Sequence, residues 1–216
     1  MLRYVGQEYD ERRYDIGHFG ATQSEWLDHK HTLGLDFPQL PYLIVDDTDN
    51  NSEEQTQVKL TQTIAILRHF ARRFKLDGST EREKDLLAML EQQIIDLLFS
   101  FLKFVHRRSP KVDAPREEHE QHEKVKQQFE EDLTTQLKLL SNFLNKQDGQ
   151  KTWILGSKIS YVDFMLYDYF FWLNYQPNSI CAKVLAKFDN LVRFVEKFES
   201  LPQLSVYIKT IKPNRQ

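Results

Sequence analysis

The sequence predicts a small mixed α/β domain over residues 1–76 followed by an all-helical domain over residues 77–216. Three observations carry that division. Two short β-favouring runs, Pro41–Val45 and Val58–Thr61, sit in the first third of the chain. Helical periodicity takes over at Ile64 and dominates the remaining sequence. At 216 residues the chain is long enough for one domain or two small ones with a buried core.

In chain order, Arg12–Ile16 is a candidate short strand, and Ser24 is placed to cap a short helix on the polar stretch that carries Leu27 and Leu33. The two stronger strands are separated by Asp46–Gln57, which is polar, acidic and without an apolar residue. An antiparallel pair joined by a long loop is the simplest account. Ile64, Leu67, Phe70, Ala71 and Phe74 then mark one helix face, ending before Gly78. Thr80 and Glu83 form a capping box ahead of the apolar-periodic run Leu86–Val105. Ser109–Glu120, rich in proline and charge, is predicted to connect helices. Val125, Phe129, Leu133, Leu137, Leu140 and Leu144 place one apolar stripe on the next helix. Tyr161–Leu173 is apolar almost all round, as a central helix must be, with Ser160 as its cap and Asp163 in the reciprocal position. Asn190–Phe198 is predicted as the last helix.

Composition excludes several functions. Twelve per cent aromatic residues argue against disorder. A net charge of -3 gives no footprint for nucleic acid. No run approaches the roughly 18 apolar residues of a membrane span, and Met1–Gly20 holds no apolar signal region. One cysteine, Cys181, cannot form an internal disulfide. A reduced, soluble, cytoplasmic protein is expected. Phosphate-cradling glycine motifs and the GxSxG elbow are absent. His119 and His122 are spaced i, i+3 without a third ligand type nearby, so they are read as a solvated face and no metal site is expected. Arg68, Arg72, Arg73 and Lys75 are read as charges complementing a helix C-terminus.

Two local arrangements are more specific. In Leu33-Gly34-Leu35-Asp36-Phe37-Pro38-Gln39-Leu40-Pro41-Tyr42, a proline opens a strand. Such a proline gives up a ladder donor and can be cis, which leaves the Leu40 backbone free to pair with an extended peptide. Gln62-Thr63 stands directly before a helix, where unpaired N–H groups favour a carboxylate. Read singly, each is equally an ordinary turn and cap. The second arrangement, Gly156–Phe164, is a folding device around Ser160 and Asp163.

Taken together, these motifs resemble glutathione transferases over essentially the whole chain, most closely the mu class. The resemblance implies a thioredoxin-like N-terminal domain, here incomplete, and an all-α C-terminal domain. It implies conjugation of reduced glutathione to hydrophobic electrophiles, with glutathione as co-substrate and no cofactor. Trp26 and Lys30, spaced i, i+4 in Ser24–Lys30, match the pair that holds the glycyl carboxylate. Gln39, Leu40 and Pro41 match the clamp on the cysteinyl unit, with Gln39 where the mu class usually has Asn. Gln62 and Thr63 match the Gln-Ser pair at the γ-glutamyl carboxylate, and Asp96 an acidic residue reaching the γ-glutamyl amine across a dimer. Phe37 and Arg68 match dimer-interface residues, so a homodimer is implied. His106 stands at a hydrophobic-site tyrosine.

The resemblance also implies that the family's first strand and most of its first helix precede the point matching Met1. Leu2–Val5 is then the end of that helix. The preceding stretch would carry the tyrosine whose hydroxyl donates to the glutathione thiolate. Tyr4, Tyr9 and Tyr14 match other positions, so no catalytic residue is identified and low activity is expected. Two alternatives stand beside the enzyme: a non-catalytic glutathione- or ligand-binding protein on the same scaffold, and an incomplete gene product. By the same resemblance the Asp46–Gln57 loop is about ten residues longer than usual, and the Gly17–Ser24 loop slightly shorter.

Overall fold

The computed structural model describes residues 1–16, 23–47, 56–107, 110–111, 113–146, 152–175 and 180–212. The chain divides into two compact units, residues 2–75 and 76–216.

In the first unit, α1 (Leu2–Val5) and α2 (Glu25–His29) precede the strands β1 (Tyr42–Asp47) and β2 (Thr56–Thr61), and α3 (Thr63–Arg73) comes after them. Ser24 caps α2, its hydroxyl accepting from the Leu27 N–H. β1 and β2 pair antiparallel, with Tyr42 opposite Thr61, Ile44 opposite Lys59 and Asp46 opposite Gln57. The ladder therefore extends into both ends of the predicted loop, and the rest of that loop, residues 48–55, lies outside the described residues. So do residues 17–22 of the Gly17–Ser24 loop.

The predicted strand Arg12–Ile16 does not form. Among the described residues the sheet has two strands, and this segment has no ladder to join. Its backbone is held by other means. The Trp26 N–H donates to the Asp15 carbonyl at 3.3 Å, and the Asp15 N–H donates to Glu25 at 3.3 Å. A strand is a property of a pair, and local β-propensity without a partner leaves an extended segment.

The second unit contains α4 (Glu81–Val105), α5 (Arg116–Asn145), α6 (Tyr161–Tyr175), α7 (Ile180–Leu185), α8 (Asp189–Glu199) and α9 (Ser205–Ile211). Both arms of the predicted capping box start α4: the Glu83 N–H donates to Thr80 Oγ1 at 3.2 Å, and the Thr80 N–H donates to Glu83 Oε2 at 3.1 Å. Gly78 makes the approach possible. It sits at φ +85°, and a Cβ there would stand 2.9 Å from Glu83 Cβ.

Two expectations need correction. Helix α5 begins at Arg116, so the last five residues of the predicted connection are helical. Its first turns lack an apolar stripe but need none, because the segment is carried by the helix that Phe129, Leu133, Leu137 and Leu140 bury. Asp189–Glu199 is not the last helix either. The six-residue α7 and seven-residue α9 were missed because neither spans two full turns of periodicity.

Helix α6 packs on α4, α7 and α8. Its fixed point is Asp163, fully buried. One carboxylate oxygen accepts from the Ile154 N–H at 2.9 Å. The other accepts from the Ser160 N–H at 2.8 Å and the Ser160 hydroxyl at 2.7 Å. The charge thus ties the 153–158 turn to the start of α6. Burial raises the Asp163 carboxyl from 3.8 to about 6, against the opposing pull of these donors.

That upward shift sets the sign of the linkage to stability. Between about 4 and 6 the native state holds a proton that the unfolded chain has released. This group's contribution is therefore full below the unfolded value and lost as pH rises through the folded one. Unfolding free energy of the wild type minus that of Asp163→Asn should fall by up to about 3 kcal/mol between pH 4 and pH 7. Urea denaturation across that range measures it, and a flat or rising difference contradicts the assignment.

Candidate glutathione site

The first unit brings most of the predicted glutathione residues to one end of the β1–β2 ladder. Tyr42 and Thr61 are the last paired residues there. Pro41 and Gln62 are therefore the first residues beyond the rung on either strand. The Leu40–Pro41 peptide is cis. Gln62, the N-cap of α3, adopts φ +69°. Its side-chain amide donates to Gln39 Oε1 at 2.9 Å, closing the corner between residues 23 apart in sequence. Thr63 is the first residue of α3, exposed, with the helix's unpaired N–H groups beside it.

Trp26 and Lys30 lie one helical turn apart. Lys30 caps α2 in helical conformation, and its N–H donates to the Trp26 carbonyl at 2.9 Å. The Trp26 ring is stacked over Tyr42, with centroids 6.1 Å apart and planes 13° from parallel. It also meets the Tyr14 ring edge-on at 5.3 Å. Tyr42 is next to Pro41, so this stack connects α2 to the same end of the ladder.

Sequence reasoning missed Tyr14 and Tyr42. Their hydroxyls lie 2.9 Å apart, and the Arg12 guanidinium sits 4.7 Å from the Tyr14 ring centroid. Burial, followed by the bond to Tyr14, raises the Tyr42 hydroxyl above its ordinary range. A single tyrosine in an extended segment gives no signal of such a pairing. Sequence reasoning also missed Lys59, whose ammonium donates to the Leu33 carbonyl at 2.9 Å.

Phe37, at 73% exposure, projects from the loop between α2 and β1. Arg68 is exposed on α3. Asp96 and His106 belong to the second unit. Asp96 is exposed on α4 and accepts from the Gln92 amide at 3.2 Å. His106 caps the C-terminus of α4, its N–H donating to the Leu102 carbonyl at 2.9 Å. Among the described residues no group of three or more metal-ligating side chains comes together, and no helix is long and apolar enough to cross a membrane.

Comparison with known proteins addresses the family of each unit. The family described as glutathione S-transferase, N-terminal domain, matches residues 1–72, and the family described as glutathione S-transferase, C-terminal domain, matches residues 105–210. A glutathione S-transferase of Tyrophagus putrescentiae is 38% identical over 213 residues, spanning 99% of this chain and 84% of the relative. Glutathione S-transferase Mu 4 of Mus musculus is 39% identical over 212 residues, spanning 97% and 83%. The crystal structure of the glutathione S-transferase Blo t 8 superposes with a TM-score of 0.75 at 32% identity, covering 96% of this chain and 84% of that one. With both halves matched in order and sequence likeness running along nearly all its length, the chain belongs to the glutathione S-transferase family.

Proposed function

We propose that residues 1–76 bind reduced glutathione at the Pro41–Gln62 corner, for conjugation to hydrophobic electrophiles in a cytoplasmic detoxification reaction. The observation that carries the reading is the Gln62–Gln39 bond of 2.9 Å, which joins the start of α3 to the residue before Leu40. Glutathione carries a carboxylate at each end and a thiol between them. The N–H groups of α3 at Gln62 and Thr63 suit the γ-glutamyl carboxylate. Lys30, with Trp26 beside it, supplies a cation for the glycyl carboxylate. The Leu40 backbone pairs with the cysteinyl unit between them.

In conjugation the thiol loses its proton to solvent, and the sulfur forms a bond to the electrophilic carbon as the leaving group departs. A free thiol titrates near 8.5, so a donor aimed at the sulfur governs the rate by favouring the thiolate. By resemblance that donor is the family's tyrosine, and Tyr4, Tyr9 and Tyr14 match other family positions. Binding thiol and thiolate equally leaves the barrier unchanged, and loss of one such donor costs about 10² to 10³ in rate. Turnover of an aryl halide by residues 1–216 expressed alone should be slower by about that factor than by the same residues behind a mu-class N-terminal segment. Equal rates would assign the thiolate to another donor.

Binding is separable from that chemistry. Lys30→Ala should weaken glutathione binding on the order of tenfold and Gln62→Ala about fivefold, the worth of single polar contacts. Titration calorimetry decides this, and wild-type affinity in both variants contradicts the site. If glutathione binds and turnover stays undetectable, the non-catalytic binding reading of the same scaffold takes its place.

The site is further proposed to be completed in a homodimer. Phe37 is the anchor, an exposed aromatic side chain of the kind that dominates interfaces when buried by a partner. Arg68 lies at the same interface, Asp96 reaches the γ-glutamyl amine of the partner's glutathione, and His106 serves the electrophile. Light scattering at micromolar concentration should give a dimer that Phe37→Ala weakens. A monomer unchanged by the substitution contradicts it.

A further inference from the structure

We infer that Lys59 is a positioning residue for the glutathione site, acting as a clasp on the loop that carries half of it. The inference rests on the glutathione reading above. Residues 31–39 separate Lys30 from Leu40, and the whole stretch 31–41 contains neither helix nor strand. Fixing a loop of this kind costs backbone entropy at every residue. Among the described residues, two side chains tie it to the strand pair and α3. Gln62 holds it at Gln39, and Lys59 holds it at the Leu33 carbonyl.

Lys59 is well placed for this. It stands within β2, opposite Ile44 in the ladder, so its backbone is fixed by the sheet. The loop is shaped to receive it. Gly34, the residue after the bonded carbonyl, adopts φ +64°, and a Cβ added there would stand 3.0 Å from the Lys59 ammonium. Glycine takes that positive φ without strain, and a side chain there would make the ammonium shift. The clasp at Leu33 and the bond at Gln39 together set the distance between Lys30 and Leu40 before any ligand arrives. A ligand that binds both ends then has less ordering to supply.

The test uses Lys59→Met, Lys59→Arg and Gly34→Ala in the full chain, read by amide hydrogen exchange without ligand and by calorimetry with glutathione. In Lys59→Met the amides of residues 31–41 should exchange faster, and glutathione affinity should fall about two- to tenfold, the worth of one exposed charge-assisted bond. Exchange across α3 and the melting temperature should stay at wild-type values. Gly34→Ala should act in the same direction, and Lys59→Arg, which still donates to the carbonyl, should restore both readings. A wild type that binds while Lys59→Met leaves affinity unchanged overturns the inference alone, whatever the exchange rates do. A wild type that binds no glutathione overturns the underlying reading, and the inference with it.

Discussion

Tyr42 and Thr61 form the last rung of the β1–β2 ladder, and the register of that ladder determines what can meet at the site. It delivers Pro41 and Gln62 to the same end of the sheet, one residue beyond the pairing on each strand. A slip of one residue would turn the side chains of a whole strand to the other face. It would also carry Lys59 away from Leu33 and part Gln62 from Gln39. The candidate site is therefore a consequence of one antiparallel register, reinforced by three side-chain contacts that bridge it: Lys59 to Leu33, Gln62 to Gln39, and Trp26 on Tyr42.

The two units solve different problems with polar groups. In the second unit Asp163 places its carboxylate inside the core, where it satisfies two backbone donors and one hydroxyl. Removing a group so engaged leaves buried donors unpaired. In the first unit the charged and polar groups proposed to meet the ligand's ends stay at the surface. Lys30 and Thr63 face solvent in whole or in part, available to a charged ligand without a large desolvation penalty. The same contrast separates binding from catalysis in the proposed function. Groups that hold the two carboxylates act equally before and during reaction, and only a donor at the sulfur acts differentially.

Features written in short-range chemistry were legible in the sequence. Thr80 with Glu83 and Ser160 with Asp163 each need only three residues of spacing, although the Ser160 hydroxyl donates to the Asp163 carboxylate instead of accepting from its N–H, and the Phe129–Leu140 stripe needs only helical period. The β1–β2 pair was legible from two apolar runs around a polar insertion. Arg12–Ile16 was not, because its state depends on a ladder partner elsewhere in the chain. The start of α5 at Arg116 was hidden by charges that a solvated first turn tolerates. At the candidate site, Leu40 and Pro41 and the Gln62-Thr63 pair stood out from their local setting, whereas Trp26 and Lys30 entered only by resemblance, and the role of each rests on that resemblance. The contacts among residues 23, 26 and 28 apart, Gln39–Gln62, Leu33–Lys59 and Tyr14–Tyr42, arise from tertiary placement alone. No periodicity or cap announces them.

At the centre of the proposed function, one tripeptide spans the corner between Leu40 and the start of α3. Titration of isotopically labelled protein with glutathione, followed by amide resonances, tests this most directly. The expected result is saturable shifts at the Leu40 and Thr63 amides that fit a single dissociation constant, with the Lys30 amide moving on the same curve. Shifts confined to other parts of the chain, with the Leu40 and Thr63 amides unmoved at saturation, would contradict it.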